Sequence, residues 1–154
     1  MKLGTLCYIE KNNQYLMLHR TKKKKDIHKN LWVGLGGKFE PGESPEACVI
    51  REVYEESGLA IINPKLKGIM MFPAFAGDDD WYVFLFTVTE FSGEIKPCAE
   101  GELTWVDKDK LDDLAMHEGD YYFTKWMQAD AGIFSAIFNY ENNKLIDYHI
   151  ANYN

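Results

Sequence analysis

Apolar and polar residues alternate along much of the chain, in short segments separated by polar turns. The segments LGTLCYIE and QYLMLHR flank the turn KNN and predict an N-terminal β-hairpin. Two more strands, LKGIMMFPAF and WYVFLFTVTEF, are predicted on either side of the acidic turn GDDD, and LTWV predicts another. FSAIFNY and KLIDYHIA predict a second hairpin around ENN, which closes the chain.

Two segments carry helical signals instead. Ser44 suits an N-cap and Pro45 the first helical position, so a helix is predicted from about Ser44 to Ser57, where Gly58 ends it. The segment GDYYFTKWMQA predicts a second helix. Since no repeat, low-complexity segment or linker interrupts this order, we predict a single α+β domain over residues 1–154.

The first helix carries an unusual concentration of acids. Glu52, Glu55 and Glu56 fall within an arc of about 100°, where like charges repel, and Arg51 is the nearby basic residue. Such a cluster of hard oxygen ligands, without thiols or histidines, suits Mg²⁺ or Mn²⁺. The alternative is a solvated acidic face. The residues on the opposing side are predicted to face the core: Ala47, Ile50, Val53 and Tyr54.

Charge and composition narrow the possible functions. A net charge of −7 disfavours direct binding to nucleic acid or to an anionic membrane. No segment approaches the roughly 18 apolar residues of a membrane span, and no secretory leader is recognisable. Three widely spaced cysteines, Cys7, Cys48 and Cys98, indicate reduced thiols and a cytoplasmic protein.

The most specific motif spans residues 37–59. Its fixed positions are Gly37, Glu43, Arg51, Glu52, Val53, Glu55, Glu56, Gly58 and Leu59. This spacing resembles the complete Nudix box, and a chance match has a probability on the order of 10⁻⁹ per start position. The resemblance implies an α/β/α sandwich with a mixed β-sheet. It also implies a divalent-metal pyrophosphohydrolase that acts on a nucleoside diphosphate linked to another group.

The resemblance assigns catalytic and metal-binding roles to the acidic helix. Metal ions neutralise phosphate oxygens and lower the pKa of bound water. Glu52, Glu55 and Glu56 are the candidate metal ligands, with the carbonyl of Gly36 as an extra ligand. Glu52 is alternatively the general base. Arg51 is expected to hold the carboxylates in place through its planar guanidinium.

Residues outside the helix complete the candidate phosphate and metal site. Members of the family often supply a carboxylate from a later loop, and Glu100 in CAEGELTWV matches it best, with Glu102 as the alternative. Glu40 is a further candidate that would reach the metal from the loop; the alternative is a merely exposed side chain. Lys38 is a candidate phosphate contact, against the alternative of a solvated lysine.

Two further segments are similar to the MutT-type enzymes, which remove oxidised purine nucleotides such as 8-oxo-dGTP. These are NLWVGLGGKFEPGE and EFSGEIKPCAEGELTWV. Trp32, Phe72 and Trp81 are candidates for stacking on the base, although each also suits a plain core. In AMHEGDYYF, Asp120 is the candidate that reads the base edge; the alternative is an N-cap of the second helix.

One position departs from the pattern of mammalian sanitising relatives. They place an asparagine directly after the tryptophan, where this chain has Val33, and the nearest asparagine is Asn30. Asn30 is therefore the candidate substitute. The run RTKKKKDIHK would steer a triphosphate tail or form a solvated loop.

Two alternatives to an oxidised-purine hydrolase remain open. One is a Nudix hydrolase of ADP-ribose or a dinucleoside polyphosphate, and the other is a regulatory module that binds nucleotides without catalysis. The partner is expected to be a small-molecule nucleotide. The oligomeric state, monomer or dimer, is left open.

Overall fold

The computed structural model describes residues 1–75 and 77–153. Its strands are β1 (Lys2–Lys11), β2 (Gln14–His19), β3 (Trp32–Val33), β4 (Ala60–Ile62), β5 (Lys65–Phe72), β6 (Trp81–Val88), β7 (Glu90–Ser92), β8 (Glu102–Asp107), β9 (Ile133–Glu141) and β10 (Lys144–Tyr153). Its α-helices are α1 (Pro45–Ser57) and α2 (Glu118–Ala129), and a 3-10 helix spans Lys108–Asp113. Among the described residues, no helix is long and apolar enough to cross a membrane.

Eight strands form one mixed sheet. The order is β10-β9-β5-β6-β1-β2-β3, and β8 pairs with β2. Strand β1 runs parallel to β6, and β5 runs parallel to β9, whereas the other pairs are antiparallel. Two further short strands, β4 and β7, pair antiparallel in a separate two-stranded sheet.

The two helices cover opposite faces of the large sheet. Alternate residues of a strand point to opposite faces. On β1, Cys7 and Ile9 join the core cluster that includes Val49 of α1, whereas Tyr8 joins the cluster that includes Phe123 of α2. The predicted α+β class and α/β/α sandwich are therefore confirmed, as are both hairpins.

Helix α1 has the predicted ends. The Ser44 hydroxyl accepts a hydrogen bond from the N–H of Ala47 at 3.1 Å, and Pro45 occupies the first turn. Gly58 ends the helix with a φ of 81°, a conformation that glycine adopts at little cost.

The predicted core face of α1 is mostly wrong. Val53 is buried as expected, but Ala47, Ile50 and Tyr54 are exposed. The buried side is formed instead by Cys48, Val49, Val53 and Ser57. Glu52 and Glu56 were placed opposite the core face, but they share a side of the helix with Val49 and line a cavity over the sheet.

Candidate active site

A cavity of about 500 Å³ lies where the Gly-rich segment 34–37 passes between β1 and α1 and where α2 begins. It brings together carboxylates from α1 and from the segment before β8 with aromatic and polar side chains from β5, α2 and β9. Its lining includes Glu52, Glu56, Glu100, His28, Lys38, Phe72, Phe75, Trp81, His117, Asp120 and Tyr140. The site therefore joins an acidic part, formed by Glu52, Glu56 and Glu100, to an aromatic part, formed by Phe72, Phe75 and Tyr140.

The glycines of the loop allow the backbone to approach the acids closely. A Cβ atom on Gly37 would collide with the carboxylate of Glu52, and one on Gly36 would collide with the carbonyl of Thr5. The N–H of Gly36 donates to Oε1 of Glu56 at 2.7 Å. These close approaches leave room for no other residue type without displacing an acid or strand β1.

Arg51 offsets the crowded negative charge of α1. Its guanidinium donates to both oxygens of Glu43, at 2.7 and 2.9 Å, and to one oxygen of Glu52 at 2.9 Å. It also donates to Glu55 at 3.2 Å and to the carbonyl of Lys38 at 2.9 Å. These hydrogen bonds lower the pKa of Glu43 to about 2 and raise the pKa of Arg51. Arg51 thus holds the helix acids against the loop.

The carboxylates inside the cavity remain poorly compensated. Burial, followed by the negative charge of Glu100 and Glu52, raises the pKa of Glu56, although the N–H of Gly36 opposes this. Burial also raises the pKa of Glu52 despite its hydrogen bond to Arg51. Glu100 is paired with Arg20 at 3.0 Å. Such buried negative charge favours the binding of a cation.

The donor set fits a hard divalent cation. Glu52, Glu56 and Glu100 offer carboxylate oxygens in one cavity, which are the ligands that Mg²⁺ or Mn²⁺ prefers, and Gly36 lines the same cavity. In the described part of the chain, no three such side chains already surround a common point at ligand distance. Glu52 is turned towards Arg51, so metal binding would require it to rotate.

Glu55 is placed differently from the other acids of α1. Its side chain is 56% exposed, pairs with Arg51, and is absent from the residues that line the cavity. Its predicted role as a metal ligand therefore has less geometric support than the roles of Glu52, Glu56 and Glu100.

Asp120 lies in the aromatic part of the cavity. It is 6% exposed, and within the described chain no group donates a hydrogen bond to its carboxylate, so burial alone raises its pKa to about 8. The alternative interpretation as an N-cap is wrong, because His117 occupies that position and Asp120 lies in the first turn of α2. A buried acid that titrates near neutral pH can both donate and accept hydrogen bonds.

Three other predicted substrate contacts also line the cavity. The Nζ atom of Lys38 lies 5.6 Å from the centroid of the Trp81 ring, and both residues border the same space. Phe72 stacks on Phe138 with centroids 5.4 Å apart and so presents part of its surface to the cavity.

Two predicted contacts lie outside the cavity lining. The ring of Trp32 stacks on His19 with centroids 4.4 Å apart and an interplanar angle of 3°. Asn30 is exposed at a turn with a φ of 66°, where its N–H donates to the carbonyl of Arg20. Val33 does line the cavity, so no amide side chain stands at that position.

Sequence reasoning missed three residues that border the aromatic part: His28, Phe75 and Tyr140. His28 lies in a lysine-rich loop with no helical or strand pattern, and Tyr140 lies in a strand predicted as part of the closing hairpin. Nothing in their sequence surroundings distinguishes them from solvated or packing residues.

The burial of Asp120 predicts a measurable effect on stability. The pKa of Asp120 is about 8 when folded, against an ordinary value of 3.8, so between these pH values the unfolded chain ionises first and folding loses stability as pH rises. Asp120→Asn cannot ionise and avoids this loss. From about pH 5 to about pH 8, we expect the free energy of unfolding to fall by roughly 3 kcal/mol more in the wild type than in Asp120→Asn. Urea unfolding of both proteins measures this; parallel pH curves would contradict the raised pKa.

Comparisons with known proteins agree with this geometry. The sequence pattern described as the NUDIX domain matches residues 2–127. A Bacillus subtilis protein described as an uncharacterized Nudix hydrolase, YvcI, is 34% identical over 140 residues, which cover 88% of this chain and 85% of that protein. The oxidized purine nucleoside triphosphate hydrolase of Danio rerio is 32% identical over 89 residues, covering 58% of this chain and 57% of the relative. A crystal structure of a MutT protein from Bacillus halodurans has a TM-score of 0.86 and 32% identity, covering 97% of both chains.

Proposed function

The chain belongs to the Nudix hydrolase family, whose members act on phosphoanhydride bonds of nucleotides, and on this basis we propose a specific reaction. The protein cleaves purine nucleoside triphosphates to the monophosphate and pyrophosphate. Oxidised purine deoxynucleotides such as 8-oxo-dGTP are the favoured substrates, so the protein would remove damaged precursors before DNA synthesis. The proposed metal is Mg²⁺, with Mn²⁺ as a substitute. The protein has three buried free thiols, which support a location in the reducing cytoplasm: Cys7, Cys48 and Cys98.

The observation that carries this proposal is the continuity of the cavity. The same space is lined by the acids Glu52, Glu56 and Glu100 and by the buried Asp120. A triphosphate needs a divalent cation, which the three glutamates could hold. A base edge needs a polar partner such as Asp120, with aromatic surface around it. A nucleoside triphosphate fits both demands.

The residues of the acidic part have separate roles in the proposed hydrolysis. A divalent cation, when bound, neutralises phosphate oxygens and lowers the pKa of an attacking water. Glu52, Glu56 and Glu100 would hold that cation, and Arg51 fixes the orientation of α1 and of the loop. Glu52 remains the candidate general base as well, since it lines the cavity and its pKa is raised by burial.

Phosphate and base contacts follow from the lining of the cavity. The ammonium group of Lys38 is available to a phosphate oxygen at the edge of the acidic part. Phe72 and Trp81 offer surfaces for the base. Asp120 hydrogen-bonds the base edge, as a donor when protonated and as an acceptor when ionised. The description of the Danio rerio relative supports oxidised purines as the substrate class.

A substrate panel tests the proposal directly. With Mg²⁺ present, kcat/KM and the released products are measured for 8-oxo-dGTP, dGTP, dATP, ADP-ribose and a dinucleoside polyphosphate. We expect 8-oxo-dGTP to be preferred, with monophosphate and pyrophosphate released. Preferential turnover of ADP-ribose would discard the assignments of Asp120 and the aromatic residues but keep the hydrolytic site. Nucleotide binding without turnover would favour the regulatory module.

Asp120→Ala should relax base preference without abolishing turnover. Loss of a hydrogen-bonding partner to the base costs about 10- to 100-fold in discrimination, while the acids of α1 are untouched. We expect kcat/KM for 8-oxo-dGTP to approach that for dATP, mainly through a higher KM. Asp120→Asn is the matched control, because it keeps the side-chain volume and an acceptor. Unchanged selectivity in Asp120→Ala would remove Asp120 from the base site.

A further inference from the structure

Two histidines from distant parts of the chain meet at the wall of the cavity. Nδ1 of His28 lies 2.6 Å from Nε2 of His117, and the two rings are nearly perpendicular with centroids 4.9 Å apart. Both residues line the cavity, and both are partly buried. At this distance one ring nitrogen donates its N–H to the lone pair of the other, so the pair holds a single bridging proton.

The protonation of the pair supports such a bond at neutral pH. Burial, and then the neighbouring positive charge of Arg20, lowers the pKa of His28. Burial and His28 lower the pKa of His117 to about 4. Both imidazoles are therefore neutral near pH 7, which is the state in which one can donate to the other.

The backbone of His28 is held by a second contact. The carboxylate of Asp26 accepts hydrogen bonds from the backbone N–H of His28 at 3.0 Å and from the guanidinium of Arg20 at 2.7 Å. Arg20 also pairs with Glu100, one of the acids in the cavity, at 3.0 Å. The loop that carries His28 is therefore fixed to the acidic part of the site.

His117 holds the start of α2. Its carbonyl accepts a hydrogen bond from the N–H of Asp120 at 3.0 Å, so the position of His117 determines the position of the first turn. On its other side, the ring packs edge-on against Phe75, with centroids 5.5 Å apart. A shift of His117 would therefore be transmitted to Asp120.

We propose that His28 is a positioning residue that sets base selectivity, because its hydrogen bond to His117 holds the first turn of α2, and with it Asp120, against the aromatic part of the cavity. This inference rests on the proposed function. It adds a residue from the lysine-rich loop to the residues that determine recognition of the base.

The first experiment removes the hydrogen bond and then restores it. His28→Leu removes the bond, whereas His28→Asn places an amide group near the position of Nδ1. We expect His28→Leu to lower the ratio of kcat/KM for 8-oxo-dGTP over dATP about tenfold, through KM rather than kcat, and His28→Asn to recover most of it. The control is His19→Leu, the same change at a histidine that stacks on Trp32 outside the cavity lining.

A double variant tests whether His28 acts through His117. If it does, His28→Leu combined with His117→Leu should lose no more selectivity than His117→Leu alone. Additive losses would overturn the proposal, and so would an unchanged ratio in His28→Leu when the wild type is selective. In both cases the proposed function would stand, since the wild-type panel decides it separately. A wild type with no preference among bases would overturn both.

A measurement independent of activity covers the possibility that a variant folds poorly. In proton NMR spectra of the wild type, the bridging imidazole proton is expected as a resonance protected from exchange. This resonance should vanish in His28→Leu and persist in His19→Leu, with circular dichroism spectra showing the same fold. Its absence from the wild type would overturn the proposed bond.

Discussion

Replacing Glu56 by glutamine is expected to lower kcat by about 1000-fold or more while leaving the fold intact. The Glu56 carboxylate lines the cavity, accepts one hydrogen bond from Gly36, and lies beside Glu100. A neutral amide of the same shape keeps the packing but loses the negative charge that a divalent cation requires. Steady-state kinetics at saturating Mg²⁺, with circular dichroism and a thermal melt, separate lost chemistry from lost structure.

Glu55→Gln is the matched control for that change. It is the same substitution one residue earlier in α1, but the Glu55 side chain is exposed and lies outside the cavity lining. We expect a loss of only about tenfold, from weaker support by Arg51. Equal losses in the two variants would show that Glu55 turns inwards to join the metal site. Near-normal turnover in Glu56→Gln would exclude Glu56 as a metal ligand.

Removal of divalent cations should abolish turnover almost completely. Without a cation, Glu52, Glu56 and Glu100 would repel the phosphates of the substrate instead of binding them through a metal. We expect EDTA to reduce pyrophosphate release by about 1000-fold or more and added Mg²⁺ to restore it. Full activity in a sample shown by elemental analysis to contain no divalent metal would contradict the assignment.

Addition of Mg²⁺ should raise the stability of the protein as well as its activity. A cation that binds the folded chain alone stabilises it, so the melting temperature should rise with Mg²⁺ concentration. Glu56→Gln should lose most of this increment, whereas Glu55→Gln should keep it. This comparison does not depend on knowing the substrate.

Sequence alone predicted those features that local residues determine. The cap at Ser44 and the stop at Gly58 act on the backbone within a few residues, so α1 ends where expected. The alternation of apolar residues located both hairpins for the same reason. The Nudix box also placed Arg51, Glu52 and Glu56 together, because the single helix α1 carries all three.

The errors came from relations that only the tertiary structure creates. The acids of α1 were placed opposite its core face, but the cavity lies over the sheet, so Glu52 and Glu56 share the inner side of α1 and Ile50 and Tyr54 face outwards. The pairing of His28 with His117 joins residues 89 positions apart, and no local pattern indicates it. Trp32 looked suited to a base, but the pairing of β3 with β2 turned its ring onto His19.

The two glycines at 36 and 37 also limit how this protein can change over time. Their missing side chains leave the space that the Glu52 carboxylate and the Thr5 carbonyl occupy. Variation at these positions is therefore coupled to the chemistry, whereas Val33, Phe72 and Trp81 line the same cavity with side chains that can be exchanged. New substrate preferences would arise at the aromatic part of the cavity, while the hydrolytic part stays fixed.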